Sequence, residues 1–407
     1  MRMCANWYRS QRLFLWALLL LKTERLSIFA ARISRHAQRP CRAYHVAVCW
    51  QRHRALIHHP SEFSLTTYHY LGRSGLKVSR LALGTMMFGG PTDEATSHAI
   101  IARAKSQGIN FIDTADVYQK GRTEEVVGRA LQHDRHDWVL ATKFANPLGA
   151  GPNRGGTSRK WIVEAVEGSL RRLGTDYIDL LYFHRADFDA PLGEAVRAIG
   201  DLIRAGKLRY FGVSNFRGWR IAEVAHLADA EGIDRPIASQ PLYNLVNRTA
   251  EAEQLPAAAA YGLGVVSYSP LARGVLTAKY DNGVAPDPES RAARADKRLL
   301  ETEWRPESIA IARQIRDYLA ARGISPTDFA VAWVLNNQLI TSAIAGPRTL
   351  EQWEGYVRAL DYRITPEDEA LVDRLVAAGH PSTPGFTDPG HPVEGRVPHV
   401  AAAPQAL

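Results

Sequence analysis

The sequence predicts an α/β fold, a closed (β/α)8 barrel, on three observations. Eight short apolar runs alternate with longer amphipathic stretches from Tyr68 onward, and a repeated strand–helix order requires a parallel sheet. Most of the runs are nearly continuous in apolar residues rather than alternating, as parallel strands buried on both faces should be. Eight units within about 280 residues match the usual size of the TIM barrel. A doubly wound open sheet is the main rival. No Gly-x-Gly-x-x-Gly follows any run: Gly262-Leu263-Gly264 begins the pattern, but Ser267 stands where the third glycine belongs. A Rossmann dinucleotide site is therefore unsupported.

The chain has 407 residues, 46% hydrophobic and 23% charged, the balance of a soluble globular protein. Its net charge of +8 lies at one end. Residues 1–66 hold 11 basic and 2 acidic residues, and the rest of the chain sums to −1. The body thus carries no electrostatic footprint for nucleic acid. Cys4, Cys41 and Cys49 all lie in the first stretch, so the body has neither a disulfide framework nor a thiolate metal site. This fits a reducing cytoplasm. Leu13–Leu21 is apolar between Arg12 and Lys22, but nine residues are too few for a bilayer span of roughly 20. Residues 1–66 are read as a basic extension, disordered or upstream of a misassigned start. A signal or membrane anchor and a functional arm are the alternatives. A barrel domain over 67–379 and a Pro/Gly-rich tail over 380–407, with six prolines, complete the organisation.

Along the body, Tyr68–Leu71 and Leu76–Val78 flank a Gly-rich turn and read as a hairpin. The barrel strands are expected at Leu81–Gly84, Asn110–Ile112, Trp138–Thr142, Ile178–Phe183, Leu208–Val213, Ile237–Gln240, Gly264–Tyr268 and Leu339–Ile344. Leu192, Val196, Ile199 and Ile203 recur at helical spacing and mark one buried face. Ser325 followed by Pro326 signals a helix start. The long charged stretch Ala272–Arg305 follows the seventh strand, and a loop of that length is functional or disordered.

In a barrel the active site lies at the C-terminal ends of the strands. The second strand ends in Asp113, with Tyr118 five residues on. The third ends in Lys143, the fourth in His184, the fifth in Ser214 and Asn215, the sixth in Gln240 and the seventh in Tyr268 and Ser269. A tyrosine hydroxyl, with pKa near 10, is a weak acid–base group at neutral pH. A neighbouring lysine ammonium favours the phenolate, and a carboxylate fixes the lysine. A histidine beside the same pocket can bond a substrate oxygen. Such a set protonates a carbonyl oxygen while a hydride reaches carbon, or reverses that. Taken singly, Asp113 and Lys143 also fit a rim ion pair, Tyr118 a packed aromatic and His184 a structural histidine. Their succession at strand ends favours chemistry.

These residues sit in stretches that resemble the aldo-keto reductases over nearly all of 68–386: GINFIDTADVY (108–118), ATKF (141–144), DLLYFH (179–184), GKLRYFGVSNF (206–216) and SYSPLARG (267–274). The nearest branch looks like bacterial oxidoreductases related to aryl-alcohol dehydrogenases and potassium-channel β subunits. The resemblance implies a barrel holding NADP(H) across its mouth and acting on a small carbonyl or alcohol substrate. It implies Tyr118 as general acid/base, Lys143 and Asp113 as its tuners, and His184 as the residue orienting the carbonyl. Ser214, Asn215 and Gln240 match the nicotinamide carboxamide contacts, and Tyr268 the ring stacked on nicotinamide. Thr85 and Met86 fall on the ribose side. Ser269, Pro270, Leu271 and Lys279 begin the loop over the pyrophosphate, with Arg291 near the next basic contact.

At the far end Gly346, Arg348 and Gln352 match phosphate and adenine contacts. Arg348 can hold a 2′-phosphate bidentately, which favours NADP over NAD. The sequence departs from the family at Gly355 and Tyr356, where Glu-Asn is usual. Two functions compete: a carbonyl reductase, and a cofactor-sensing regulatory subunit on the same fold. His184 completes the tetrad and favours the enzyme.

Overall fold

The structure, a computed structural model, describes residues 67–280, 288 and 290–392. The expectations for residues 1–66 and for the tail beyond Pro392 lie outside the described residues. The first strands are a two-stranded antiparallel hairpin, β1 (Tyr68–Tyr70) and β2 (Lys77–Ser79). Eight parallel strands then close into a barrel: β3 (Leu81–Gly84), β4 (Phe111–Asp113), β5 (Val139–Phe144), β6 (Ile178–Phe183), β7 (Leu208–Ser214), β8 (Ala238–Gln240), β9 (Gly264–Ser267) and β10 (Ile340–Ala345). They pair in chain order, and β10 closes on β3 through Ile344 opposite Ala82. The open-sheet rival is thereby excluded. Each strand lies within two residues of its expected position, and the apolar run explains why: both faces are buried.

Helices cover the outside. α1 (Glu94–Ser106), α2 (Arg122–Leu131), α3 (Arg159–Leu173), α4 (Leu192–Arg204), α5 (Gly218–Ala230) and α6 (Gln254–Tyr261) follow successive strands. α4 buries Leu192, Val196 and Ile199 as its periodicity requires. α7 (Lys297–Thr302), α8 (Pro306–Ala320), α9 (Pro326–Asn336), α10 (Leu350–Arg358) and α11 (Pro366–Leu375) complete the wall. The Ser325 side chain caps α9 by accepting from the Thr327 N–H.

The core has two layers. Strand residues such as Leu83 and Phe183 pack outward against helix residues such as Ile100 and Val196. Inside the barrel, Ala82, Phe111, Leu180, Tyr182 and Val266 form a second cluster, joined by Leu71 and Val78 of the hairpin. The hairpin therefore plugs the N-terminal end of the barrel and leaves the C-terminal end as the open mouth.

The stretch Ala272–Arg305 is not structureless. It holds a short 3-10 turn over Ala272–Thr277 and α7. The tail is draped over the mouth as far as Pro392. Pro381 bridges Asn247, and Ser382 N–H donates to the Val246 carbonyl at 2.9 Å. Among the described residues no helix is long and apolar enough to cross a membrane. No group of three or more His, Cys, Asp or Glu is placed there to hold a metal ion.

Candidate active site

The ends of successive strands bring the expected polar residues to one mouth. Asp113 is the last residue of β4, Lys143 lies one residue before the end of β5, and His184 follows β6. Tyr118 opens a 3-10 turn just beyond β4. The Lys143 ammonium donates to Asp113 Oδ1, to the Thr114 carbonyl at 2.8 Å and to the Tyr118 hydroxyl at 3.2 Å. Asp113 is in turn fixed by Gln240 Nε2, which donates to Oδ2 at 2.9 Å. Thr85 Oγ1 donates to the Asp113 carbonyl at 2.9 Å, tying β3 to β4. The His184 ring meets Tyr118 edge-on, with centroids 5.9 Å apart. One buried ammonium thus holds a carboxylate and a phenol together, with an imidazole beside the phenol.

The electrostatics correct one expectation. Lys143 does pull the Tyr118 phenol down, but burial outweighs it and Asp113 opposes it, so the phenol titrates above its ordinary value. Burial also pulls Lys143 down, yet Asp113 and Tyr118 hold the ammonium above its usual value. His184 is held well below the usual imidazole value, first by burial and then by the Lys143, His391 and Arg185 charges. It is neutral at pH 7. Its buried Nδ1 has no hydrogen-bond partner among the described residues.

A second set lines the rim. Ser214 Oγ donates to the Gln240 carbonyl at 2.9 Å. Asn215 Nδ2 donates to the His184 carbonyl at 2.9 Å, and its Oδ1 accepts from the Tyr268 hydroxyl at 2.9 Å. Asn215 sits at φ 60°, a left-handed conformation that asparagine tolerates better than most residues. Its amide is thereby turned toward Tyr268. Ser269 follows at φ 56° and leads into buried Pro270 and Leu271. Lys279 is exposed, with its ammonium 5.3 Å from the Tyr280 ring centroid. Arg291 pairs with Asp296 at 2.8 Å and reaches Met87 Sδ at 3.6 Å. Met86 is half-buried, and its carbonyl accepts from Gln119 Nε2 at 3.2 Å.

Beyond β10, Gly346 is exposed, and a Cβ there would meet nothing within 4 Å. The Arg348 N–H donates to Gln352 Oε1 at 2.9 Å, joining those two residues in one turn. Gly355 and Tyr356 are buried in α10, and the Tyr356 phenol reaches the Gly346 backbone of that turn.

Sequence reasoning missed three features. Asp116, inside the quoted 108–118 stretch, is fully buried, and among the described residues no side chain bonds its carboxyl oxygens. Arg273 has a buried Nε without a partner among the described residues, and its charge reaches Tyr118 and Tyr268. His391, from the tail, lies close enough to His184 to lower its pKa. Asp116 and Arg273 stood in quoted motifs, 108–118 and 267–274, but depth of burial and tail docking leave no local pattern.

The donor chemistry fits a nicotinamide dinucleotide. The Asn215 amide meets the Tyr268 hydroxyl, Ser214 and Gln240 stand paired at the ends of β7 and β8, and the cations Arg273 and Lys279 follow in the next loop, Arg273 with a buried Nε lacking a partner among the described residues. Fold and mouth define a (β/α)8 barrel protein with an ionisable Asp–Tyr–Lys–His set at its catalytic end. The family model described as "Aldo/keto reductase family" matches residues 80–377, and the chain belongs to that family.

It is similar to a rice protein named probable voltage-gated potassium channel subunit beta, 38% identical over 317 residues, 76% of this chain and 95% of that one. The uncharacterized oxidoreductase YrpG of Bacillus subtilis (strain 168) is 37% identical, covering 78% of this chain and 98% of its own. L-glyceraldehyde 3-phosphate reductase of Escherichia coli (strain K12) is 31% identical, covering 79% and 95%. Family and relatives together support an oxidoreductase of the carbonyl-reducing kind that uses a nicotinamide cofactor.

Proposed function

We propose that the protein is an NADP(H)-dependent aldo-keto reductase that interconverts an aldehyde or ketone with its alcohol. The observation that carries this reading is the buried Asp113–Lys143–Tyr118 chain facing a neutral His184. Ser214, Asn215, Gln240 and Tyr268 would hold the nicotinamide end, Thr85 and Met86 the ribose side, Ser269, Pro270, Leu271 and Lys279 the pyrophosphate. Gly346, Arg348 and Gln352 would hold the adenosine phosphate. The bound cofactor supplies a hydride to the carbonyl carbon.

His184 orients the substrate by donating a hydrogen bond to its oxygen. Tyr118 gives its proton to that oxygen as negative charge develops there. Lys143 stabilises the resulting phenolate, and Asp113, itself held by Gln240, keeps the ammonium in place. In the oxidative direction the same phenolate removes the proton. The cysteine-free body supports action in the cytoplasm.

The test is NADPH consumption followed by absorbance over a panel of aldehydes, ketones and sugars. Turnover of at least one supports the reading. Tight NADPH binding without turnover of any would favour the second reading, a cofactor-sensing subunit. The name of the rice relative favours that alternative.

A further inference from the structure

Arg185 follows His184 directly at the barrel mouth. It is exposed and makes no hydrogen bond or ion pair among the described residues. Its charge reaches both His184 and His391. His391 arrives from the other end of the sequence and is clamped on both sides. Before it, Asp388 is gripped by the two Nη groups of Arg298 at 2.6 and 3.1 Å. The Asp388 carboxylate also accepts from Gly390 N–H at 2.8 Å, and its carbonyl accepts from His391 N–H at 2.9 Å. After it, Arg217 Nη2 donates to the carbonyls of His391 at 3.2 Å and Pro392 at 3.0 Å. The backbone is held, while neither His391 ring nitrogen makes a hydrogen bond among the described residues.

The neighbouring acids are mostly engaged. Asp388 is bound by Arg298, and Asp187 accepts from the N–H groups of Thr157 and Asp189. Glu253 stands 4.0 Å from Arg217, and exposed Asp189 lies farther along the loop. The cations Arg273 and Lys279 follow β9, whereas Arg185 follows β6, three strands round the barrel. Arg185 therefore stands at the His184 end of the mouth, and Arg217, just beyond the neighbouring strand β7, holds His391 beside it.

We propose that Arg185 and His391 together bind an anionic group, such as a carboxylate, carried by the carbonyl substrate. This rests on the reductase reading and names its substrate class: an aldehyde or ketone bearing a negative charge at its far end. A guanidinium offers paired donors to an oxyanion, and the half-buried imidazole can add a third. Arg217, Arg298 and Asp388 are positioning residues that hold the tail.

The test compares 3- and 4-carboxybenzaldehyde with their methyl esters as substrates, using NADPH. The ester keeps the shape, removes the charge and is the more electrophilic carbonyl. The wild type should favour the acid in kcat/KM by about tenfold or more, mostly through KM. Arg185→Ala and His391→Ala should each shrink that ratio, and Arg185→Lys should retain part of it. Calorimetry with terephthalate and its dimethyl ester, with and without NADP+, reads the anion site apart from turnover. Terephthalate binding that Arg185→Ala abolishes, in a protein that reduces no aldehyde, sustains the site and sinks only the reductase reading. Equal or greater kcat/KM for the esters, or no terephthalate binding in a protein without turnover, overturns the proposal.

Discussion

Tyr118 is pulled two ways. Burial disfavours its phenolate, while the Lys143 ammonium at 3.2 Å favours it. Burial wins in the free protein, so Tyr118 carries its proton at neutral pH, the form a reductase needs. Tyr118→Phe should leave NADPH binding intact and cut aldehyde turnover by about two to four orders, the worth of a positioned acid. Fluorescence titration and steady-state rates on the same sample would check it, and an unchanged rate would remove Tyr118 from the reaction. The cofactor end carries its own prediction. Arg348→Ala should weaken NADPH by about 1.5–3 kcal/mol and leave NADH nearly unchanged, since only NADPH bears the 2′-phosphate. Equal losses for both cofactors would show that another residue discriminates. Asp113, Lys143 and His184 were legible as candidates because each sits at or beside a strand end, and Tyr118 because it follows Asp113 by five residues. The direction of the Tyr118 shift was not, because sequence gives the neighbour but not the depth.

Among the elements, the strands were the most legible and the long connections the least. A parallel strand buried on both faces writes itself as an apolar run, so β6 (Ile178–Phe183) was placed to the residue. The tail's composition permits no regular element, yet His380–Pro392 docks through single contacts: the Arg305 guanidinium 4.0 Å from the Phe386 ring centroid, and Arg298 with Asp388. Such contacts have no period. The hairpin lies between these extremes. Its turn was legible from Gly72 and Gly75, but its role as a plug depends on how closely it approaches the barrel. Gly72 has φ 59°, and a Cβ there would lie 2.5 Å from the Gly262 carbonyl and 2.6 Å from Gly264 N. Both are backbone atoms that cannot swing aside. Gly72→Ala therefore combines left-handed strain with overpacking and should cost about 2–4 kcal/mol. Gly75→Ala, in open space on the same turn, should cost far less. Urea denaturation of the two variants side by side measures the difference, and equal losses would mean that the hairpin lifts away from the barrel without penalty.

For the whole molecule, the closed barrel forces polar groups at strand ends into a dry wall, and Asp116 shows the consequence. Its N–H donates to the Lys143 carbonyl, so its side chain is committed to the interior behind the catalytic pair. Glu124 lies nearby and takes the side-chain donors, Thr142 Oγ1 at 2.6 Å and Arg172 Nε at 2.7 Å, so that the Arg172 and Lys143 charges and the Val117 N–H only partly offset the burial of Asp116. Burial first, and then the Glu124 charge, push the Asp116 carboxyl up to about 8. Between its unfolded pKa near 4 and that folded value, the native state holds a proton that the unfolded chain has lost. Stability contributed by the protonated form is therefore fully present below about pH 4. It declines as pH rises through this window and is lost above about 8. Asp116→Asn removes the titration while leaving an amide with few partners. It should be neutral or mildly destabilising at pH 5 and clearly stabilising at pH 9. Relative to wild type, its melting temperature should rise by roughly 5 °C or more between the two pH values. Thermal unfolding of both proteins at pH 5, 7 and 9 is the measurement. A difference that does not change with pH would place the Asp116 carboxylate in contact with water or with a cation, and would remove it from the dry wall.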